Sequence, residues 1–274
     1  MEKKVTIAAV VIARNEEKTL PIVLASLRNQ TFAPTQIVVV NDGSTDKTAN
    51  IASVLGCRVV NLPFHEKSYV GTEKIAERFN VGVRAITVDP KYIMISGADD
   101  ILPPLYIETL INRMESNPKL VVVSGQAEGE LTDEDTPRGA GRIIRAEWWK
   151  KHGNLQFPVL ICWESWIVYK AIQTGYEARN FRDLLFTRGR KQKRTSRKFI
   201  GDGRCMYSAG YYWGYVLGRC VSEIFNRPKA SVFMLIGWVL ANLQKPPRTE
   251  LADWVKQQQR QTLFKLIKNV FRKL

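Results

Sequence analysis

Cysteine and histidine are scarce in this chain of 274 residues, which holds four of the first and two of the second. Cys57, Cys162, Cys205 and Cys220 lie far apart in the sequence, without a CxxC pair or a histidine at metal-ligand spacing. The pattern therefore favours structural thiols in a reducing compartment over a zinc site or a disulfide framework.

Long apolar runs and glycine-rich phosphate loops are also absent. No stretch approaches the roughly 18 apolar residues that span a bilayer, and the N-terminal residues lead into a predicted strand without an apolar signal region. Neither a Walker sequence nor GxGxxG occurs, which excludes the usual cradles for nucleotide phosphates. We therefore expect a cytoplasmic protein with one large α/β domain and room for an appendage.

Negative charge is in short supply, since 41 Lys and Arg face 26 Asp and Glu for a net charge of +15. Residues 188–198 hold seven bases in eleven positions, and six bases but no acid follow Asp253. Such an excess suits an anionic partner, which could be nucleic acid, a phospholipid surface or a phosphorylated small molecule. A solvated basic face is the structural alternative.

What the chain does contain is a series of short β-branched apolar runs that alternate with helical spacing. Runs that are apolar throughout are typical of strands buried on both faces, and their alternation with helices predicts a mostly parallel, doubly wound α/β sheet. The predicted strands are 5–13, 36–40, 58–62, 92–96 and 120–125.

Polar residues gather where three of these strands end, in the segments ARNEE, NDGSTD and SGADD. Ligands of doubly wound sheets bind at the carboxyl ends of the strands, so this clustering predicts a site there. Asp99 and Asp100 could hold Mg²⁺ or Mn²⁺ together with substrate phosphates. A helix N-cap is the structural alternative for such an Asp pair.

Three segments in register, VVIARNEEKTL, IVVVNDGSTDKT and GADDILPP, resemble glycosyltransferase family 2, a group of inverting enzymes with the GT-A (nucleotide-diphospho-sugar transferase) fold. The resemblance extends from residue 5 to about residue 190. It implies a nucleoside-diphosphate sugar as donor and a divalent metal, Mn²⁺ or Mg²⁺, as cofactor.

The resemblance also implies roles for individual residues. The metal would be held at Asp99 and Asp100, although Gly97 stands where the family has the first acid of its metal motif, which leaves a thinner site. Residues expected to bind the donor nucleotide are Ala13, Asn15, Glu16, Asp42, Lys74, Arg78, Asn80 and Asp99.

The second half of the resemblance supplies a catalytic base. Counting back from Gly175 in CWESWIVYKAIQTGY places Glu164 at the family's Asp position, where the acid takes a proton from the acceptor hydroxyl. An ion pair with a neighbouring base is the structural alternative for Glu164. A loop over the diphosphate is implied at Arg188, Arg190 and Arg194. No QxxRW pattern follows, so we expect transfer of a single sugar.

We divide the chain into a glycosyltransferase domain and a helical extension. The predicted segments are 1–200 for the GT-A domain, with 1–125 binding the nucleotide sugar and 126–200 the acceptor, and 201–274 for the extension. In the extension, Gly210, Gly214 and Gly218 predict a glycine stripe on one helix face, and the last helix mixes bases with aromatic residues. Peripheral attachment at the inner membrane face is our expectation; dimerisation and plain domain packing are the alternatives.

The function we expect is metal-assisted, inverting transfer of one sugar to a hydroxyl on a lipid-linked or surface glycan. A polyprenyl-phosphate glycosyltransferase is the alternative within this class. A nucleotidyltransferase lacks support because its glycine-rich loop is missing, and a nucleic-acid binder because the expected crevice is acidic. A catalytically inactive relative is disfavoured because Asp42, Asp99 and Glu164 are all present.

Overall fold

The computed structural model describes residues 5–130, 137, 139–190 and 195–271, with side chains through residue 264. Strands and helices alternate along the first half, and helices alone follow the last strand. The strands are β1 (Ile7–Ala13), β2 (Gln36–Asp42), β3 (Arg58–Leu62), β4 (Tyr92–Gly97), β5 (Asp100–Ile101), β6 (Leu120–Ala127), β7 (Arg142–Arg145) and β8 (Glu177–Arg188). The helices are α1 (Leu20–Arg28), α2 (Thr48–Val54), α3 (Lys74–Arg84), α4 (Tyr106–Ser116), α5 (Ala146–Gly153), α6 (Trp163–Gln173), α7 (Ser196–Ser208), α8 (Trp213–Ile224), α9 (Pro228–Gln244) and α10 (Ala252–Phe271).

The strands form one sheet in the order β3-β2-β1-β4-β7-β6-β8-β5. Neighbours among β1 to β4 are parallel, as are β6 and β8, whereas β7 is antiparallel to both β4 and β6 and β5 is antiparallel to β8. The predicted mostly parallel α/β sheet is confirmed, and all five predicted strands are present. Strands β5, β7 and β8 were not predicted. β7 lies between β4 and β6; its four residues, like the two of β5, are too few to show a period in the sequence.

The core explains why the strands read as continuous apolar runs. β1 and β4 are covered on both faces, and α1 adds Leu20, Val23, Leu24 and Leu27 as a fully buried stripe. On α3, a Cβ at Gly82 would lie 2.3 Å from Cγ1 of Val10, so only glycine lets this helix lie so close to the sheet. That contact holds α3 over β1.

Contacts between residues divide the chain into two compact units. The first unit comprises residues 1–68, 76–157 and 170–191, and the second comprises 69–75, 158–169 and 192–274. The second unit is helical through α7, α8, α9 and α10. The proposed boundary of a helical extension at residue 200 stays a prediction.

The predicted glycine stripe in the second unit is wrong. Gly210 lies between α7 and α8 with a φ of +85°, so it ends one helix instead of sharing a face with Gly214 and Gly218. Its Cβ position would lie 2.3 Å from the carbonyl oxygen of Ala252, which is a second reason for glycine there. Across the described ranges, no helix is both long enough and apolar enough to cross a membrane.

Candidate functional site at the carboxyl ends of β1, β2 and β4

The strand register brings three polar loops to one edge of the sheet. Ala13 pairs with Asn41 at the end of β2, and Ile12 pairs with Gly97 at the end of β4. The loops that follow β1, β2 and β4 therefore begin side by side, as expected for a ligand site of a doubly wound sheet.

The loop after β1 is tied to the loop after β2 by hydrogen bonds. Asn15, with a φ of 53°, donates its backbone N–H to Oγ of Ser44 at 3.0 Å and accepts the N–H of Thr45 on Oδ1 at 2.9 Å. The N–H of Glu16 donates to Oγ1 of Thr48 at 2.7 Å. The amide oxygen of Asn15 thus holds the second loop in place, and its predicted contact with a nucleotide stays a prediction.

Asp42 ends β2 and is almost fully buried. A guanidinium and an imidazole face its carboxylate. Its Oδ1 lies 3.0 Å from Nε of Arg78 on α3 and 3.1 Å from Nε2 of His65 after β3. The guanidinium of Arg14 in turn donates to the carbonyl oxygens of His65 and Lys67, the latter at 2.9 Å. Burial strengthens such charge-assisted contacts, so the loops after β1, β2 and β3 converge on one carboxylate.

Asp100 is the buried member of the Asp pair and organises its turn. Its Oδ2 accepts the N–H of Gly97 at 2.7 Å and the hydroxyl of Ser96 at 3.2 Å, and its Oδ1 lies 3.4 Å from Nε of Arg188. Burial raises the pKa of Asp100 to about 6, the N–H of Gly97 and the charge of Arg188 lower it, and the negative charge of Asp99 raises it. The carboxylate is therefore already engaged by the protein.

Asp99 is the member of the pair that remains available. It is half-buried, and its carboxylate has no hydrogen-bond or salt-bridge partner among the residues that the structure describes. A Cβ at Gly97 would lie 2.9 Å from Oδ1 of Asp99 and 3.2 Å from Oδ2 of Asp100, so a larger side chain there would require these two carboxylates to shift.

This donor set fits a divalent metal that is held by one protein carboxylate and by phosphate oxygens, which is how Mg²⁺ is commonly bound. It does not form a closed protein cage, because no cluster of three or more His, Cys, Asp or Glu suited to a metal occurs in the described part of the chain. Of the two predicted ligands, Asp99 fits a metal better than Asp100, whose oxygens are engaged by the Gly97 amide, Ser96 and Arg188.

The predicted diphosphate loop begins beside the same acids. Arg188 lies 3.4 Å from Asp100 and donates from Nη1 to Oε1 of Glu130 at 2.7 Å. Arg190 donates to Oε1 of Glu16, which is buried, while the Arg190 side chain itself is 58% exposed. Arg194 lies outside the described residues. Both described arginines thus neutralise acids near the strand ends.

Two other predicted donor residues of the first unit are buried. The amide of Asn80 donates to the carbonyl of Phe157 at 2.8 Å and accepts its N–H at 2.7 Å, which anchors the loop after α5. Ala13 is 1% exposed at the end of β1. These contacts are structural, and a role in donor binding stays a prediction for both residues.

The remaining two predicted residues belong to the second unit. The ammonium of Lys74 lies 4.3 Å from the ring centroid of Tyr69, a cation–π contact. Glu164 is the second residue of α6 and its side chain is exposed. Their predicted roles, as diphosphate ligand and base, stay predictions.

Sequence reasoning missed His65, Arg14 and Glu130. His65 is one of only two histidines and follows β3 by three residues, which is a usable signal. Arg14 lies inside the first polar segment and could have been found there. No sequence pattern pointed to Glu130 as a site residue, because its pairing with Arg188 depends on the parallel register of β6 and β8.

The sequence comparisons identify a family for most of this region. The family model described as Glycosyl transferase family 2 matches residues 8–169. An uncharacterized glycosyltransferase of Haemophilus influenzae is 27% identical over 134 residues, which is 47% of this chain and 38% of the relative. A 4,4'-diaponeurosporenoate glycosyltransferase of Staphylococcus haemolyticus is 41% identical over 59 residues, which is 22% of this chain and 16% of the relative. The chain therefore matches well under half the length of either relative.

Solved structures share the fold at low sequence identity. Mannosyltransferase PcManGT from Pyrobaculum calidifontis, in complex with GDP-Man and Mn²⁺, has a TM-score of 0.58 and 14% identity over 88% of this chain and 76% of that one. Glucosyl-3-phosphoglycerate synthase from Mycobacterium tuberculosis, in complex with Mn²⁺, UDP and glucosyl-3-phosphoglycerate, has a TM-score of 0.56 and 16% identity over 74% and 78%. S. aureus TarS 1-349 has a TM-score of 0.52 and 18% identity over 73% and 63%. The expected GT-A fold is confirmed.

Proposed function

The chain belongs to glycosyltransferase family 2, and on that premise we propose that it is a nucleotide-sugar-dependent transferase that moves one sugar, with inversion, to an acceptor hydroxyl. The observation that carries the proposal is the available carboxylate of Asp99, which follows β4 at the sheet edge where the loops after β1 and β2 also begin. A ligand at that edge would meet the carboxylate of Asp99, whereas the neighbouring acids Asp42 and Asp100 are already paired with Arg78 and Arg188.

Binding of the nucleoside is assigned to the surroundings of Asp42. The contacts of its Oδ1 with Arg78 and His65 fix the carboxylate in one orientation. An oriented acceptor group suits the N–H donors of a nucleobase edge. Asn15 supports this pocket indirectly, because it fixes the backbone of Thr45.

Asp99 is the residue that would hold a divalent metal, with Mn²⁺ or Mg²⁺ as the proposed ion. When bound, the ion would neutralise charge on the departing diphosphate. The protein's own contribution is to keep Asp100 occupied with the N–H of Gly97, so that the turn keeps its shape while Asp99 faces the ligand.

Arg190 is proposed to exchange partners when a donor binds. In the structure its Nη2 contacts Glu16, and the same exposed guanidinium is assigned to a phosphate of the donor. Arg forms bidentate contacts with phosphate, so a bound diphosphate competes directly with Glu16. Arg194 is proposed to belong to the same loop.

Glu164 is the proposed general base. It would take the proton of the acceptor hydroxyl as that oxygen attacks the anomeric carbon from the side opposite the diphosphate, which inverts the configuration. Its place in the first turn of α6, with a solvent-exposed side chain, leaves the carboxylate accessible to an acceptor.

The acceptor is proposed to be a lipid-linked or surface glycan, met at the inner face of the membrane. The basic excess of the chain supports this, since anionic lipid attracts Lys and Arg. A polyprenyl phosphate is the competing acceptor. It is already an anion and needs no base, so retention of transfer in E164Q would identify it.

Donor-dependent thermal shift tests the proposal. We expect sugars of one nucleotide class among UDP, GDP and dTDP to raise the midpoint of unfolding in the presence of Mn²⁺ or Mg²⁺, and EDTA to remove the effect. At 100 times Kd the stabilisation is about 2.7 kcal/mol. Absence of a shift with every donor, with or without metal, would contradict donor binding by this chain.

A further inference from the structure

Helix α9 of the second unit is apolar on two opposite faces. One face packs against α7 so closely that a Cβ at Gly237 would lie 2.1 Å from the carbonyl oxygen of Ile200. The opposite face exposes a stripe at helical spacing, formed by Val232, Ile236, Val239 and Leu243, with Leu243 75% exposed. A helix that is apolar all round is normally buried, so the outward stripe of α9 needs a partner.

Helix α8 carries a second stripe of the same kind. Its inward side chains Val216 and Cys220 form a small core with Met234 of α9, and the carbonyl of Cys220 accepts the hydroxyl of Ser231 at 2.6 Å. The outward stripe, again at helical spacing, is formed by Trp213, Leu217, Val221 and Ile224. Phe225, in the connection to α9, is 89% exposed. We call the exposed side chains of the two stripes, on consecutive helices, together with Phe225 the apolar surface.

Positive charge brackets this surface. Residues 230–244 contain no charged side chain, whereas exposed Arg227 and Lys229 precede them and exposed Lys245 and Arg248 follow. Among the described residues, Arg227, Lys229 and Lys245 form no salt bridge or side-chain hydrogen bond. On α8 the one acid, Glu223, is paired with Arg219 at 3.2 Å. Exposed bases therefore flank both ends of α9.

We propose that the apolar surface rests on an anionic phospholipid bilayer, with α9 lying in the plane of the interface. Its 17 residues extend over about 25 Å, shorter than the roughly 30 Å of a hydrocarbon core. Apolar side chains enter the acyl region while the bases at both ends reach the phosphates. The inference rests on the proposed acceptor at the membrane and names the surface that would meet the lipid.

Two other arrangements fit less well. A second copy of the chain on the same surface would bring the two sets of bases together, because a twofold interface pairs like with like. The last helix, where the sequence predicted the membrane contact, buries Val255 and packs Trp254 on Tyr169 with centroids 6.5 Å apart. Through residue 264, α10 exposes mainly polar side chains, with Phe264 as its exposed large apolar residue. The later side chains of α10 lie outside those that the structure describes, so a membrane contact there stays a prediction.

Flotation of the full chain with lipid vesicles, without donor or acceptor, tests the proposal. The chain is mixed with vesicles of phosphatidylcholine alone or of phosphatidylcholine and phosphatidylglycerol. We expect I236Q/L243Q to lower partitioning onto the anionic vesicles at least about tenfold, because two apolar side chains that would enter the acyl region are lost. I22Q/V54Q is the matched control, since it makes the same kind of change at exposed apolar positions of α1 and α2 and leaves partitioning unchanged.

A charge variant separates the lipid headgroup from the acyl region. R227A/K229A should lower partitioning onto anionic vesicles several-fold for two lost bases and leave the weak binding to neutral vesicles as it was. Failure of the full chain to float with anionic vesicles, or equal flotation of I236Q/L243Q, would overturn the proposal.

A dimer is the remaining outcome. If light scattering finds a wild-type dimer that I236Q/L243Q converts to monomer, and neither floats, a second copy covers the surface and the proposal is wrong. Thermal shift with the donor is measured on the same variants. Donor binding is therefore measured independently of vesicle binding. A chain without a donor shift contradicts the proposed function, whereas a chain that does not bind vesicles contradicts only the membrane proposal.

Discussion

The two units differ in the chemistry of the surfaces that we propose for binding. In the first unit the functional edge is polar, and its charges are neutralised in pairs such as Asp42 with Arg78 and Glu16 with Arg190. In the second unit the helices approach to backbone contact through glycine, and large apolar side chains face outward. Buried charge requires a partner in place before the ligand arrives, whereas exposed apolar area requires a partner from outside.

This difference indicates how each unit binds. The first unit is preorganised, because each loop of the edge is fixed by hydrogen bonds and one carboxylate, Asp99, is left over. Among its described residues, the second unit instead exposes the two apolar stripes that we propose as a lipid-binding surface. A small charged donor suits the first arrangement, and an extended fluid surface suits the second.

The largest expected effect is on the rate of transfer. It tests a residue of the second unit, because the proposed base Glu164 belongs to that unit. E164Q should lower the rate of transfer by about 10²–10⁴-fold while donor binding stays unchanged, because the amide cannot accept the proton. Steady-state transfer and donor thermal shift measure the two quantities. Unchanged transfer would confine the chemistry to the first unit and favour a phosphate acceptor.

Removal of the buried charge pair should be the largest effect on folding. D42N removes the carboxylate that faces Nε of Arg78 and Nε2 of His65, and should lower the free energy of unfolding by about 3 kcal/mol. D183N is the matched control, because Asp183 pairs with Arg113 while 65% exposed and should cost less than about 1 kcal/mol. Urea unfolding gives both values; equal costs would contradict the claim that the edge is preorganised by buried charge.

The two acids of the pair should separate metal binding from turn structure. D99N should abolish the EDTA-sensitive part of the donor thermal shift, about 2.7 kcal/mol at 100 times Kd, without lowering the melting temperature of the free chain. D100N should instead lower that melting temperature, because the ionised carboxylate's contact with Arg188 is lost. A D99N chain that still responds to EDTA would place the metal elsewhere.

A pair of glycines on α7 offers the smallest and cleanest test of the second unit. A Cβ at Gly203 would lie 2.0 Å from the carbonyl oxygen of Met234, whereas nothing lies within 4 Å of a Cβ at Gly201. G203A should therefore destabilise by about 1–3 kcal/mol, and G201A should stabilise by about 0.5–1 kcal/mol through helix propensity. Similar effects at both positions would mean that α7 and α9 do not pack this closely.

Much of the first unit was predictable from local pattern. The buried strands were found because runs such as IVVV have one structural solution, and the family from three motifs in register. Asn80 illustrates the limit: its motif pointed to the donor, while its amide is engaged by the backbone of Phe157. That contact joins positions 77 residues apart, and no local pattern reports it.

By itself, the sequence determined the α/β class, the family, the strand ends that carry polar residues and the surplus of positive charge, because these follow from local periodicity, motifs and composition. Only the tertiary structure decided that Asp100 is occupied while Asp99 is available, that His65 faces Asp42, and that α8 and α9 turn apolar stripes outward. Each of these depends on which distant residues become neighbours, and strand register and close helix packing set those neighbours only in the folded chain.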